Sequence, residues 1–464
     1  MLAQLTATLN DWLYTYILVI LLIGAGLYFS IRTRFVQFRL LGEAFRVVRE
    51  KGDGGVSSFQ ALMVSTASRV GTGNIAGVSA ALCLGGVGAV FWMWVIALLG
   101  GASAFVERTL AQIYKVHDGQ GGSRGGPAYY IEAAVGSRGL AALFAVLLIL
   151  TYMVGFNLVA SFNLVDSFTG YGFFDSRTPL TAGTALAVVT ALCIFGGGKR
   201  LTAVTGVLVP VMGGAYVLMA LVMVALHLEL VPGVLAAIFE NAFDFQAVFG
   251  GFTGSAMMYG IKRGLFSNEA GVGSAPNAAA AASVSHPVKQ GLAQMLSVFI
   301  DTLLICSATA FLCLCSGVEP DAALKGVPYV QAALAGTFGG FGRWFVTGAM
   351  LLFAFTTILG NYYYCESNFQ YLLRRDAKRW ELAVFRLAAV SVVFLGAQMD
   401  FSLVWDLADV LMGCMALINL PVIWRLAGPA LAALRDYLGQ KAQGRDPVFR
   451  AADIGLEGQT DFWN

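Results

Sequence analysis

Residues Ser65–Gly77 read S-T-A-S-R-V-G-T-G-N-I-A-G, and the reading of this stretch decides the fold. It lies near the middle of an apolar segment, Ser57 to Leu82, that is long enough to cross a bilayer, which takes about 20 residues. A membrane helix rarely concentrates small, polar and glycine residues unless its backbone leaves helical geometry there. Irregular backbone at membrane depth survives only where it is buried in protein or lines a cavity. Gly71 and Gly73 take up unusual φ and ψ at little cost, freeing amides and carbonyls to face a solute. Close helix packing through small residues is the plainer alternative. Three glycines together with Arg69 and Asn74 are too polar for a lipid-facing seam, so the sequence predicts a broken helix.

The whole chain fits this membrane setting. Of 464 residues, 58% are hydrophobic and only 12% charged, against about 25% in a soluble domain. Mean hydropathy is +0.73. A net charge of +2 is too small to suggest nucleic acid. The seven cysteines all fall in apolar segments and read as small core residues, not as disulfides or zinc ligands. His117, His227 and His286 lie away from the centres of the predicted spans, which argues against a histidine-centred enzyme or metal site.

Reading outward from the broken segment, Leu13–Ile31 is an earlier span, better suited to a retained helix than to a signal peptide. Between them, Arg32, Arg34, Arg39, Arg46, Arg49 and Lys51 alternate with apolar residues, predicting a basic amphipathic helix on the cytoplasmic face. Further spans are expected at Ala89–Tyr114, Leu140–Phe168, Thr181–Phe195 and Ala203–His227. An acidic outside loop is expected at Glu229–Phe249, followed by a second interrupted segment, Gly250–Ala282. The last spans are Val288–Ser316, Gly342–Leu373, Leu382–Gln398 and Phe401–Leu426. The Gly-rich loop before Pro127 has no strand ahead of it, so a dinucleotide site is a poor reading. Lysine and arginine distribution puts the N-terminus outside and the C-terminal tail inside.

The expected total is about eleven spans: one extra, then ten divided five plus five. Five is odd, so the two halves have opposite topology, and each half begins with a glycine-rich, interrupted segment. That pairing points to an inverted-repeat transporter with a site near the midplane. The expected organisation is residues 1–56 as an added helix with its basic segment, 57–428 as the ten-helix core and 429–464 as a cytoplasmic tail. Lys262, Arg263, Asn268 and Glu269 crowd the second interrupted segment and read best as a gating ion-pair network. Arg69 is expected to pair with Glu107, Glu269 or Asp301. Thr356 and Thr357 offer adjacent hydroxyls to a hard cation, although such hydroxyls often only bond back to their own helix.

At these stretches the chain resembles the alanine or glycine:cation symporter family. The resembling residues are Val70–Val78 with Gly85–Trp94, Gly125–Glu132, Lys262–Pro276 with His286–Gly291, and Thr356–Gly360. The likeness runs from about residue 10 to 430. It implies an all-α, leucine-transporter-type fold with one added N-terminal helix, importing small neutral amino acids with sodium in a bacterial plasma membrane. It further implies a substrate site at Gly71, Thr72, Gly73, Asn74, Thr357 and Asn361. Sodium would sit at the carbonyls of Ala67 and Val70 with Thr356 and Thr357. Two departures imply a reshaped pocket: the family's Q-S-N-S run is Ala160–Asn163 here, and Asn361 stands where a Trp commonly follows T-x-L-G. The expected partners are a small neutral amino acid and the bilayer, with the chain acting as a monomer. A proton-coupled carrier, or a channel or sensor on the same scaffold, is the competing reading.

Overall fold

The computed structural model describes residues 2–50, 56–118, 121–196, 198–243 and 255–463, with side chains at 2 and 198–205 left aside. The start of the second interrupted segment (250–254), the end of the expected outside loop from Asp244 onward, and Lys51 and Gly119 fall outside this description, as do the side chains of Lys199 and Arg200. The chain is mostly helical. Among the described residues seven helices are long and apolar enough to cross a membrane, and two shorter apolar helices join them.

Helix α1 (Ala3–Arg32) is the first span. After it the expected single basic helix is broken. Arg34 and Phe35 both take positive φ (54° and 55°), and the chain turns sharply before α2 (Leu41–Val48). Helix α3 (Ser58–Arg69) opens with a capping box, Ser57 accepting from the Gln60 amide and Gln60 accepting from the Ser57 amide. Helix α4 (Gly73–Gly85) continues past a gap, and α5 (Ala89–Ile113) follows.

Helix α5 is the buried axle of the molecule, and glycines let its neighbours close on it. A methyl built on Gly260 would overlap the Ala89 carbonyl oxygen, and one on Gly291 would overlap Thr109 Oγ1. Without lipid-versus-protein hydrophobic contrast, such close packing is what holds membrane helices together.

After α5, a two-stranded hairpin, β1 (Val116–His117) with β2 (Ser123–Arg124), occupies the Gly-rich loop. Helices α6 (Arg138–Asp166), α7 (Thr178–Ile194) and α8 (Gly198–Leu226) come next. Pro210 lies inside α8. The expected outside loop instead contains a helix, α9 (Val231–Ala242), whose Phe239 packs on Phe91, as does Phe243 just beyond it. Its proline at the first turn suits a helix start.

Helix α10 (Ala256–Asn268) ends where Glu269 (φ 51°), Gly271 (84°) and Gly273 (95°) unwind the chain, and α11 (Pro276–Ala280) is a short resumption. This fixes the second break at residues 269–275. Helix α12 (Pro287–Leu314) starts at a His286 cap. Helix α13 (Val327–Leu373) begins well before Gly342 and carries a non-helical joint at Gly339 (φ 58°), because the apolar run extends further back than the expected span. Helices α14 (Arg379–Gly396), α15 (Phe401–Arg425) and α16 (Ala427–Ala442) complete the chain.

The segment after α16 folds back onto the arginine-rich end. Lys289 Nζ reaches Asp446 at 2.8 Å, and the Phe449 amide donates to the Ser285 carbonyl at 2.9 Å. Trp463 Nε1 donates to the Gln112 carbonyl, and Lys115 sits 3.9 Å from the Phe462 ring. Burial pushes the His286 imidazole down to about 4, so it is neutral, accepting from the Val288 amide while its other nitrogen faces Asp436.

Candidate functional site

The first broken helix parts at Val70–Gly71. Val70 has ψ 87°, outside the helical range, while its amide still donates to the Thr66 carbonyl at 2.7 Å. In a continuous helix the Gly71 amide would bond the Ala67 carbonyl, and the Asn74 amide would bond that of Val70. Here the Gly71 amide donates to Asn74 Oδ1 at 2.9 Å, and the Asn74 amide donates to the Gly71 carbonyl at 3.1 Å. The carbonyls of Ala67 and Val70 thus lose their helical donors. These are the two carbonyls that the resemblance implies for sodium.

Thr357, on α13, stands directly opposite. A methyl built on Gly71 would overlap Thr357 Oγ1, so only glycine admits this approach. The Thr357 hydroxyl is buried and, among the described residues, has no hydrogen-bond partner, as is also true of Thr66 Oγ1 one turn before the break. A buried polar atom without a partner calls for an explanation, and an absent ion or ligand is one. Thr356 differs. Its hydroxyl bonds back to the Leu352 carbonyl at 2.9 Å and the Phe353 carbonyl at 3.2 Å. The two threonines predicted as one pair therefore have different surroundings.

Asn74 is fully engaged in holding the break. Its Nδ2 donates to Asp301 Oδ1 at 2.8 Å, and its carbonyl accepts from Thr309 at 2.8 Å. Thr72 Oγ1 accepts from Asn163 Nδ2 at 3.2 Å, which brings the end of the Ala160–Asn163 run to the break. Asn361 is buried between helices, accepting from Ser68 Oγ at 2.7 Å and donating to Asn157 Oδ1 at 2.9 Å. Gly360 beside it lies against the Ser68 backbone, where a methyl would come 2.6 Å from the amide nitrogen.

Aromatic rings close over Gly73. Phe266 lies so near it that an added methyl would come 2.6 Å from the ring. Its centroid is 4.6 Å from that of Phe156 and 4.7 Å from that of Trp405. Sequence reasoning passed over all three rings, because single aromatics in apolar spans carry no pattern of their own.

Beyond the rings lies a polar cavity of about 270 Å³, lined by Asp11, Tyr259, Lys262, Arg263, Lys325 and Trp405 among others. Its floor is an ion cluster. Lys262 Nζ lies 3.1 Å from Asp409 Oδ2, Arg263 bonds the same oxygen, and the Arg263 guanidinium sits 4.5 Å above the Trp405 ring. Asn10 donates to Asp406 at 2.7 Å, tying α1 to the cluster. The charged network expected from Lys262 and Arg263 is present, but its acid was missed. Asp406 and Asp409, an i, i+3 pair inside an apolar span, were the available signal. Asn268 and Glu269 lie at the other end of α10, where Glu269 bonds Ser274 across the second break.

Arg69 departs from its expected pairing. Its guanidinium donates to the Ser65 carbonyl at 3.1 Å, the Asn268 carbonyl at 3.2 Å and Ser297 Oγ at 2.6 Å. No carboxylate among the described residues comes within ion-pair distance, although Glu107, Glu269 and Asp301 all feel its charge. The unwound second segment supplies a free carbonyl at the place where a carboxylate was expected. Glu107 instead accepts from Asn419 at 2.9 Å.

Comparison with solved structures finds the same kind of architecture in a mutant manganese transporter from Eremococcus coleocola. The TM-score is 0.51 at 13% identity, over 87% of this chain and 85% of that one, which establishes a helical transporter fold. Sequence relatives are much nearer. The chain is 48% identical to the amino-acid carrier protein AlsT of Bacillus subtilis, over 98% of this chain and 96% of that protein. It is 45% identical to a probable sodium/glutamine symporter, GlnT, of the same organism, over 95% and 91%. It is 36% identical to the sodium/alanine symporter AgcS of Methanococcus maripaludis, over 94% and 97%. A profile described as the sodium:alanine symporter family matches residues 1–451. The broken helix, its diverted amides and these likenesses lead to one conclusion: the chain belongs to the sodium:alanine symporter family.

Proposed function

We propose that this protein imports a small neutral amino acid such as alanine or glycine together with sodium, by alternating access. The observation that carries this reading is the buried Thr357 hydroxyl, without a partner among the described residues and pressed against Gly71 at the break where the Ala67 and Val70 carbonyls lose their helical donors. Sodium takes the carbonyls of Ala67 and Val70 with Thr357, while Thr356 supports the turn that presents them. Gly71, Thr72, Gly73 and Asn74 surround the substrate backbone, where the amides after the break favour a carboxylate. Because sodium and substrate share one unwound segment, each stabilises the geometry the other needs, and the coupling is reciprocal.

The scaffold in this reading is a five-plus-five inverted repeat with one added helix, about eleven spans in all. The N-terminus lies outside and the C-terminus in the cytoplasm of a bacterial plasma membrane. The Lys262–Arg263–Asp409 cluster with Trp405 serves as the outer gate, supported by its position between the polar cavity and the broken helix.

Counterflow in proteoliposomes tests the function. Labelled alanine, glycine and glutamine should exchange against internal substrate only when sodium is present. Binding without exchange points to a sensor, and exchange that persists without sodium but collapses with a proton ionophore points to proton coupling. Asp301, bonded to Asn74, is the candidate carrier in that second case.

Asn361 is proposed to set which side chain is accepted. It lies one helical turn past Thr357, about 6 Å deeper along α13, and ties Ser68 to Asn157. Asn361→Trp should reorder a panel of amino acids in competition assays, weakening the larger and more polar competitors most. An unchanged ranking, at normal expression and sodium dependence, would show that Asn361 only joins helices.

A further inference from the structure

Four arginines converge on a cavity that the transport reading does not use. It measures about 340 Å³ and lies between the end of α1 and α16, lined by Arg32, Arg34, Arg39 and Arg435. Leu431, Leu434 and Leu438 of α16 form its apolar wall, and among the described residues no aspartate or glutamate lines it. None of the four guanidiniums makes an ion pair among the described residues. Among those residues Arg39 donates only to the Thr33 carbonyl (3.3 Å) and Arg435 only weakly to the Leu431 carbonyl (3.4 Å).

The nearby acids are committed elsewhere. Glu43 is taken by Arg46, Lys441 and Tyr437, and Asp436, next to Arg435 in sequence, turns to His286 and Gln440. The turn that presents Arg34 is held in left-handed geometry at two successive non-glycine residues, an arrangement that persists only where the surroundings impose it. The residues around the site have the make-up of a membrane–water boundary. Tyr28 stacks on Trp424 at 4.5 Å with Arg32 beside it, and the Ile31, Phe35 and Phe38 side chains are exposed. Aromatic residues of this kind mark the membrane–water boundary.

A cationic cup with an apolar wall at such a boundary matches one chemistry, a phosphodiester headgroup attached to acyl chains. We propose that this cavity binds an anionic phospholipid, its phosphate held by Arg34, Arg39 and Arg435 and an acyl chain lying along Leu431, Leu434 and Leu438. Arginines that merely set topology need neither a shared cavity nor freedom from neighbouring acids.

Native mass spectrometry of the full-length protein in neutral detergent tests this, titrating phosphatidylglycerol, phosphatidylcholine or inorganic phosphate. Phosphatidylglycerol should bind in preference to phosphatidylcholine. Affinity should fall roughly fivefold for each arginine removed, so about twenty-fivefold for Arg39→Gln with Arg435→Gln. Arg435→Gln alone, on an exposed helix face, gives the single-step value if the pair folds poorly. A control pair outside the cavity, Arg49→Gln with Arg379→Gln, removes the same charge and should leave binding near wild type. The proposal is overturned if the cavity pair binds lipid as well as wild type, or if the control pair loses as much. It is also overturned if millimolar inorganic phosphate displaces the lipid, which would make this a soluble-anion site.

Discussion

Thr357→Val is expected to cripple sodium-dependent uptake at ordinary sodium concentrations while leaving the protein folded. Valine keeps the shape of threonine and deletes one oxygen, and that oxygen is buried, without a partner among the described residues, and pressed against Gly71. A folded-state bond is therefore not lost, and stability should stay near or above wild type. On the proposed ion site, what is lost is a ligand to the cation. Bonds to charged groups contribute about 1.5–3 kcal/mol, so sodium activation should weaken roughly ten- to a hundredfold. Thr356→Val provides the contrast, since its hydroxyl bonds back to its own helix. Its effect should be the smaller of the two. Uptake by Thr357→Val with wild-type sodium dependence would remove the assigned ion site.

Asp409→Asn is expected to be the most destabilising single change in the Lys262–Arg263–Asp409 cluster proposed as a gate. Asp409 is fully buried and is the shared counter-ion of Lys262 and Arg263. Asparagine leaves two buried cations with no charge partner in contact among the described residues. Removing one member of a buried ion pair costs about 3–5 kcal/mol. The melting temperature in detergent should fall clearly, and transport with it. A second substitution, Lys262→Met, should restore part of the lost stability, because it removes one of the orphaned charges and keeps apolar volume. A melting curve for Asp409→Asn that overlays wild type would show that the cluster is hydrated and contributes little.

The two halves of the site were unequally legible. The break at Val70–Gly71 could be read directly, because glycines and an amide in an apolar run leave few ways to satisfy the backbone at membrane depth. The same logic marked the second break, although its position at Glu269–Gly273 needed the structure to show which residues take positive φ. Arg69 shows the limit. Its charge demanded a partner, and the three acids named from sequence do lie near it, yet the contacts are made by two carbonyls and Ser297. A guanidinium has five donors, and a carbonyl at the end of α10 together with one in its own helix satisfies it as directly as a carboxylate. Asp409 shows the opposite failure. Lys262 and Arg263 were read as a network, but their acid sits on the last span, where an otherwise apolar sequence hid it.

What the sequence determined by itself were local backbone choices and solvent: a polytopic membrane chain, two interrupted segments, and a threonine pair near one of them. These follow from composition and from the few conformations that glycine-rich stretches can adopt in lipid. The tertiary structure alone decided which of the two threonines faces the break and which acid neutralises Lys262 and Arg263. It alone brought Phe156, Phe266 and Trp405 together over Gly73, and Arg435 beside Arg34 and Arg39. Each of those choices depends on how helices from distant parts of the chain cross, and on the glycines that let them approach. Side-chain spacing along one helix does not encode a crossing.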